Sequence, residues 1–207
     1  MSRRNWKKSH KVWLTREQIE NLESVCNRVK DLCIIQLGAW VGLRSNEIAS
    51  IKQRDLRQYT IDGRIKYFVM VEGKRTRQKK GDGLTKTREA FIPKRVYNNI
   101  QELIDLEKLQ DIHPIVPNKF GKHYSTTGIQ QRVKRMAMRV YDKTDDREML
   151  YVSSHDLRRF FAHYNLEEKS KNPRVVMAQG GWSGWHSIEP YLHKPSRDKM
   201  VSELEDD

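Results

Sequence analysis

Four side chains in the last quarter of this sequence could do chemistry together. His155 and Arg158 stand as H-x-x-R, three residues apart, a spacing that puts both on one face of a helix. Gly180-Gly181-Trp182-Ser183 follows, and Tyr191 comes nine residues after Trp182. Arginine's planar fork grips carboxylates and phosphates through parallel bonds, and histidine changes charge near neutral pH. An indole N–H only donates. A phenol, with a pKa of about 10, becomes a nucleophile only where nearby cations and hydrogen bonds favour its anion. Taken singly, a histidine is more often a satisfied core residue and a tyrosine mostly packing, so it is the order and spacing that carry the reading.

The whole-chain composition agrees with an anionic target. The 207 residues carry a formal net charge of +13 and are 32% charged. Nucleic acid is the first partner this implies and an anionic membrane surface the second. Apolar residues nevertheless recur in periodic blocks, so a folded chain of one large or two small domains is expected. No apolar stretch is long enough to span a bilayer, and no basic-then-apolar leader is present. Cys26 and Cys33, the only two cysteines, would be separated by roughly 10 Å of rise on one helix, too far to bridge, which suits reduced thiols inside a cell. Neither C-x-x-C nor H-E-x-x-H spacing occurs, so no metal site is expected.

The elements that must position these residues can be read in order. Residues 1–13 form a basic arm with Arg3, Arg4, Lys7, Lys8 and Lys11 and no acid, suited to lying along phosphates. Thr15 with Gln18 is a capping-box pair, and Ile19, Leu22, Val25 and Cys26 repeat at helical spacing. Residues 31–42 are almost continuously apolar and read as a buried helix. They end at Gly42-Leu43-Arg44-Ser45-Asn46-Glu47-Ile48, where Ser45 can cap a short helix running to about Ile51. Residues 65–72 and 84–92 read as two strands. Between them KRTRQKKGDG makes a basic tip with Arg75, Arg77, Lys79 and Lys80. Pro93 to Leu109 is an amphipathic helix with Val96, Ile100, Leu103, Ile104 and Leu106 apolar. Residues 127–141 form another, whose Arg132, Lys134, Arg135 and Arg139 suit a DNA groove. Residues 142–148 are an acidic, polar loop. Ser154 caps a helix starting at His155, with Leu157, Phe160, Phe161 and Tyr164 facing the core. Gly180-Gly181 ends the helix that follows.

Two blocks of this chain resemble the tyrosine recombinases, the phage-integrase family that cuts and rejoins DNA. One is His155-x-x-Arg158, Gly180-Gly181-Trp182-Ser183 and Tyr191. The other is Gly42-Leu43-Arg44-x-x-Glu47-Ile48, followed by Ile51 and Asp55-Leu56. The Gly-Gly-Trp-Ser form is similar to that of archaeal or archaeal-virus members. The resemblance covers residues 14–195 as a catalytic domain, between the arm and an acidic tail at 196–207. It implies a single, mainly α, α+β domain with a small antiparallel sheet.

The resemblance also implies the roles. Tyr191 is the nucleophile, attacking a DNA phosphate to leave a 3′-phosphotyrosyl link and a free 5′-hydroxyl. Arg44, Arg158, His155 and Trp182 stabilise the five-coordinate phosphorus, with Glu47 orienting Arg44 or nearby backbone. A lysine on the β-hairpin protonates the leaving oxygen. Lys86, in Thr85-Lys86-Thr87-Arg88 ahead of Ile92-Pro93, fits that position better than Lys74. Arg159 does not match a family position and reads as a DNA-backbone or surface residue. The implied partners are double-stranded DNA and further copies of the chain, as a tetramer on two sites, with no cofactor and no membrane. That places the protein inside the cell on DNA, whether encoded by a virus, a plasmid or the host. Most relatives add an amino-terminal helical clamp for which this chain has no room, so a minimal enzyme, a truncated chain and a remnant all fit. A type IB topoisomerase or an inactive DNA-binding remnant would share the motifs.

Overall fold

The computed structural model describes residues 11–72 and 87–192. Its described elements are seven α-helices and one three-stranded sheet. Helix α1 (Arg16–Ser24) is opened by the capping box anticipated above: Thr15 Oγ1 accepts from Gln18 N at 3.2 Å, and Gln18 Oε1 accepts from Thr15 N at 2.9 Å. Helix α2 (Val29–Ala39) is the centre of the molecule. Cys33, Ile34, Ile35, Leu37 and Ala39 are all buried, because α1, α4 (Lys94–Glu107), α5 (Thr126–Thr144) and α6 (Ser154–His163) all pack on it. Each isoleucine or leucine so taken from water contributes about 1.5–3 kcal/mol, so the nearly continuous apolar run at 32–41 is what makes α2 the hub. Burial also pushes the Cys26 and Cys33 thiols up to about 12. Both are free.

The sheet has one strand more than the sequence reading. Strands β1 (Leu56–Ile61), β2 (Arg64–Glu72) and β3 (Thr87–Ile92) pair antiparallel in the order β1-β2-β3. The missing strand was signalled by Asp62-Gly63. Both residues have positive φ, 50° and 70°, as a tight two-residue hairpin turn requires. Strand β1 escaped notice because it is exposed on nearly every side chain and shows no buried period. On the inner face Val69, Val71, Ala90 and Ile92 are buried, and Tyr67 stacks on Tyr97 of α4 with centroids 3.8 Å apart.

Several boundaries move. Helix α4 runs from Lys94, and its Leu106 is 65% exposed rather than part of the apolar face. Helix α5 runs on to Thr144, so the expected loop at 142–148 is partly helix and continues into a 3-10 turn at Arg147–Tyr151. Helix α6 begins at Ser154, with Ser153 as its cap. A π turn at Tyr164–Glu168 extends it before α7 (Pro173–Gly180). Val12, which falls within the expected arm, is 2% exposed and belongs to the core. No described helix is long and apolar enough to cross a membrane.

The buried side chains fall into two clusters. The larger one surrounds α2. The smaller contains Phe161, Ala162, Leu166, Val176, Ile188 and Tyr191, with Met177, Trp182 and Leu192 packed against it. The hinge between α2 and α3 (Ser45–Ser50) adjoins the smaller cluster at Gly42. Its φ is +79°, and a Cβ there would lie 2.6 Å from the Phe161 ring. Left-handed backbone and an overpacked ring together predict that Gly42→Ala destabilises the protein by about 2–4 kcal/mol, which a shift in the urea unfolding midpoint will measure.

Candidate active site

The site is built around a carboxylate. Glu47, in the first turn of α3, is 2% exposed. Its Oε2 accepts the Arg44 backbone N–H at 2.8 Å and its Oε1 accepts Arg44 Nη1 at 2.9 Å. Arg88 on β3 forks the same group, Nη1 to Oε1 at 3.0 Å and Nη2 to Oε2 at 2.9 Å. Burial on its own would raise the Glu47 pKa. The bonds and charge of Arg88, joined by those of Arg44, outweigh burial and lower it. Arg44 uses its remaining Nη2 to reach Gly181 O at 3.1 Å, which links α3 to the end of α7.

Helix α6 supplies the next pair. Asp156 Oδ2 takes both the N–H and the hydroxyl of the Ser153 cap, at 2.8 and 2.7 Å. This fixes the first turn, from which His155 and Arg158 project. Arg158 is 1% exposed. Its Nη1 donates to Gly42 O, while its Nη2 is buried with no hydrogen-bond partner among the described residues. Burial, and then the charge of Arg44, push this guanidinium down to about 9, so it is still charged at neutral pH. A buried donor left unmatched costs about 1–3 kcal/mol, more when charged. His155 lies at the exposed start of α6. Partial burial first, and then the charges of Arg159, Arg158, Arg44 and Lys11, lower its pKa, which keeps the imidazole neutral at pH 7.

The turn after α7 closes the site. Gly181 has φ +68°, and Trp182 N bonds back to Met177 O at 3.0 Å, so the helix stops with a left-handed glycine. A Cβ at Gly180 would meet the Trp182 ring at 1.9 Å, so the doubled glycine is what lets the indole fold back. That ring lies under the Arg158 guanidinium, 3.9 Å from it, and meets the Tyr191 ring edge-on at 5.8 Å. Tyr191 ends a 3-10 turn, Glu189–Tyr191, and is 8% exposed. Trp13 covers another side of Tyr191 edge-on at 6.3 Å.

The structure therefore brings Arg44, Arg158, Trp182 and Tyr191 together, with His155 at the rim. Lys86 and its alternative Lys74 lie outside the described residues. So do Arg3, Arg4, Lys7, Lys8, Arg75, Arg77, Lys79 and Lys80. Two basic residues expected to meet DNA do not face solvent. Arg159 is buried. It pairs with Asp156 and donates to Val12 O at 3.1 Å, and its guanidinium lies over Trp13 at 5.6 Å. Arg132 is held by the buried Asp31, with Nε 2.6 Å from Oδ1. On the same helix Lys134 bonds Leu150 O and Arg139 bonds Val25 O, which leaves Arg135 as the exposed one of the four. The residue the sequence reading missed is Arg88. Alternation in β3 sets it on the side of the buried Ala90 and Ile92, and an arginine on an inward face needs a carboxylate.

A mainly helical domain with a small three-stranded antiparallel sheet, carrying an arginine, a histidine, a second arginine, a tryptophan and a tyrosine in this order, has the architecture of a tyrosine-recombinase catalytic domain. The model of the phage integrase family matches residues 12–197, and the chain belongs to that family. Among solved structures it is similar to the XerA recombinase, at 15% identity and TM-score 0.70, covering 96% of this chain and 65% of that one. It is also similar to the XerH site-specific recombinase bound to its difH substrate in a pre-cleavage complex, at 16% and 0.69, covering 94% and 54%. A third is the Tn1549 transposon integrase in complex with a circular intermediate DNA, at 18% and 0.74, covering 96% and 66%. The chain thus spans between 54% and 66% of the length of these solved chains. No curated protein sequence matches it.

The Glu47 pair sets a pH dependence. The folded carboxylate has a lowered pKa, so its stabilisation is complete above the unfolded value of about 4.3 and is lost as pH falls through the lower folded one. Glu47→Gln is expected to cost about 3 kcal/mol at pH 7. The gap from wild type should narrow on acidification below pH about 4, as followed by urea titrations across pH.

Proposed function

We propose that this domain breaks and rejoins DNA through a covalent link to Tyr191, as a site-specific recombinase or integrase. The observation that carries the reading is the Arg158 guanidinium, buried beside Tyr191 with one nitrogen lacking an acceptor among the described residues. A non-bridging phosphate oxygen set between Arg44 and Arg158 would supply that acceptor and neutralise charge the protein leaves uncompensated. The strong positive charge of the chain favours the DNA backbone as the source of the phosphate.

In this mechanism the phenol oxygen of Tyr191 attacks phosphorus and its proton passes to the neutral imidazole of His155. Arg44 and Arg158 hold the two non-bridging oxygens as charge builds on them. Trp182, whose ring lies 3.9 Å from the Arg158 guanidinium, keeps it in place. The 5′ oxygen leaves and takes a proton, with Lys86 proposed as donor ahead of Lys74. The phosphotyrosyl ester conserves the energy of the broken bond, and reversal by a second 5′-hydroxyl rejoins the strand, so neither a metal nor a nucleotide is called for. Exchange between two duplexes would require four protomers on two sites, since each supplies one phenol.

On a nicked DNA substrate that traps the cleaved state, the wild-type protein should form an adduct that survives denaturation, and Tyr191→Phe should form none. Arg158→Ala should lower the rate of its appearance by roughly 10²–10³-fold, the effect of losing one oxyanion donor. Salt-sensitive binding without any adduct would overturn the proposal, and relaxation of plasmids irrespective of sequence would identify a topoisomerase instead.

A further inference from the structure

We propose that Arg88 is a positioning residue for the reaction: by occupying Glu47 from the side of the sheet, it leaves Arg44 turned outward to hold the phosphate. The inference rests on reading the Arg44–Arg158 cluster as a phosphodiester site. Its starting point is the difference between two arginines that share one carboxylate. Arg88 has every guanidinium nitrogen engaged by protein, Nε on Gln179 O at 3.0 Å, and Nη1 and Nη2 on the two oxygens of Glu47. Its side chain is 14% exposed. Arg44 shares only Oε1 through Nη1, and its side chain is 37% exposed. The buried arginine therefore touches no substrate and acts through its neighbours, while the half-open one keeps a face for an anion.

Charge explains why two arginines are needed. With Arg44 as its only partner, Glu47 would take the whole guanidinium in a fork, the geometry arginine and carboxylate prefer, and the charge meant for the phosphate would be cancelled inside the protein. Arg88 satisfies that preference instead. Among the described residues three guanidiniums, Arg44, Arg88 and Arg158, then face one carboxylate, so net positive charge remains where a phosphodiester would bind.

The same side chain also sets the turn that carries Trp182. A Cβ on Gly181 would stand 2.9 Å from the Arg88 guanidinium, and the Gly181 carbonyl is the one that Arg44 Nη2 holds. The neighbouring Gln179 completes the clamp. Its Oε1 accepts the Phe91 N–H at 2.8 Å, and its Nε2 donates to Phe91 O at 3.0 Å and to Val41 O at 3.1 Å. Strand β3, the end of α7 and the approach to Gly42 are thus joined at one place, and Arg88 is the charged member of the joint.

The test compares Arg88→Lys and Arg88→Met with the wild type and Tyr191→Phe. Two readouts are used: adduct formation on a nicked DNA substrate, and the titration of the Glu47 carboxyl by carbon NMR. Among the described residues the groups facing Glu47 are Arg44 at its own helix cap, Arg88 from β3 and Arg158 from α6. Losing Arg88 removes the largest opposition to burial. The Glu47 pKa should therefore rise in Arg88→Met, and adduct formation should slow by roughly 10²-fold, as for displaced catalytic groups, at little change in DNA affinity. Lysine keeps the charge but not the fork, so Arg88→Lys should recover the titration in part and the rate only weakly. A Glu47 titration unchanged in Arg88→Met overturns the inference, whether or not the protein cleaves DNA. So does a wild-type adduct rate in variants that are merely less stable. Absence of any wild-type adduct would instead sink the recombinase reading, with the titration still deciding whether Arg88 governs Glu47.

Discussion

A carboxylate withdrawn from water is the constraint from which the rest of this structure follows. Moving such a group into the interior costs several kcal/mol unless charge and hydrogen bonds surround it. Glu47 is surrounded by parts of the chain distant in sequence: its own helix cap through Arg44, and the sheet through Arg88. Once these are held, the Gly181 carbonyl has a donor and the turn carrying Trp182 has a fixed height. Were Glu47 apolar, the arginines would repel one another across a shared space. The acid is the spacer that makes a concentration of positive charge compatible with a folded domain.

The cations are not equally compensated. Arg88 is saturated, Arg44 is partly so, and Arg158 retains a buried nitrogen with no acceptor among the described residues. Folding normally eliminates such a deficit. Its survival at the point where an aromatic ring, a second guanidinium and a phenol converge is what distinguishes a place for an anion from an ordinary structural ion pair.

Much of this arrangement could be read from residue order, and the failures have physical causes. The capping box at Thr15, the buried helix through 32–41 and the glycine stop at 180–181 are local patterns, and local patterns survive in sequence. The His155-x-x-Arg158 pair and Tyr191 were legible through spacing. Arg159 was misread because its charge argued for solvent, although the acid three residues before it, Asp156, offered a partner within the helix. For Arg132 no such hint existed, since Asp31 lies 101 positions away. Strand β1 was overlooked because neither of its faces is buried, and only the Asp62-Gly63 turn betrayed it. Arg88 was absorbed into a search for a lysine, although its place in the alternation of β3 marked it as inward-facing.

The two hydrophobic clusters give the residues of the candidate site different footings. Arg44 and Glu47 stand at the edge of the large cluster around α2, whose loss would mean unfolding the domain. Tyr191 belongs to the small one, built from little more than the end of α6, one residue of α7 and the last described turns. Regions with few apolar contacts open at a lower free energy than the whole molecule does. Under the proposed mechanism, anchorage on this smaller cluster of described residues would let the phenol be withdrawn or presented while the arginines stay where they are, so that a phosphate would be gripped before it came within reach of attack.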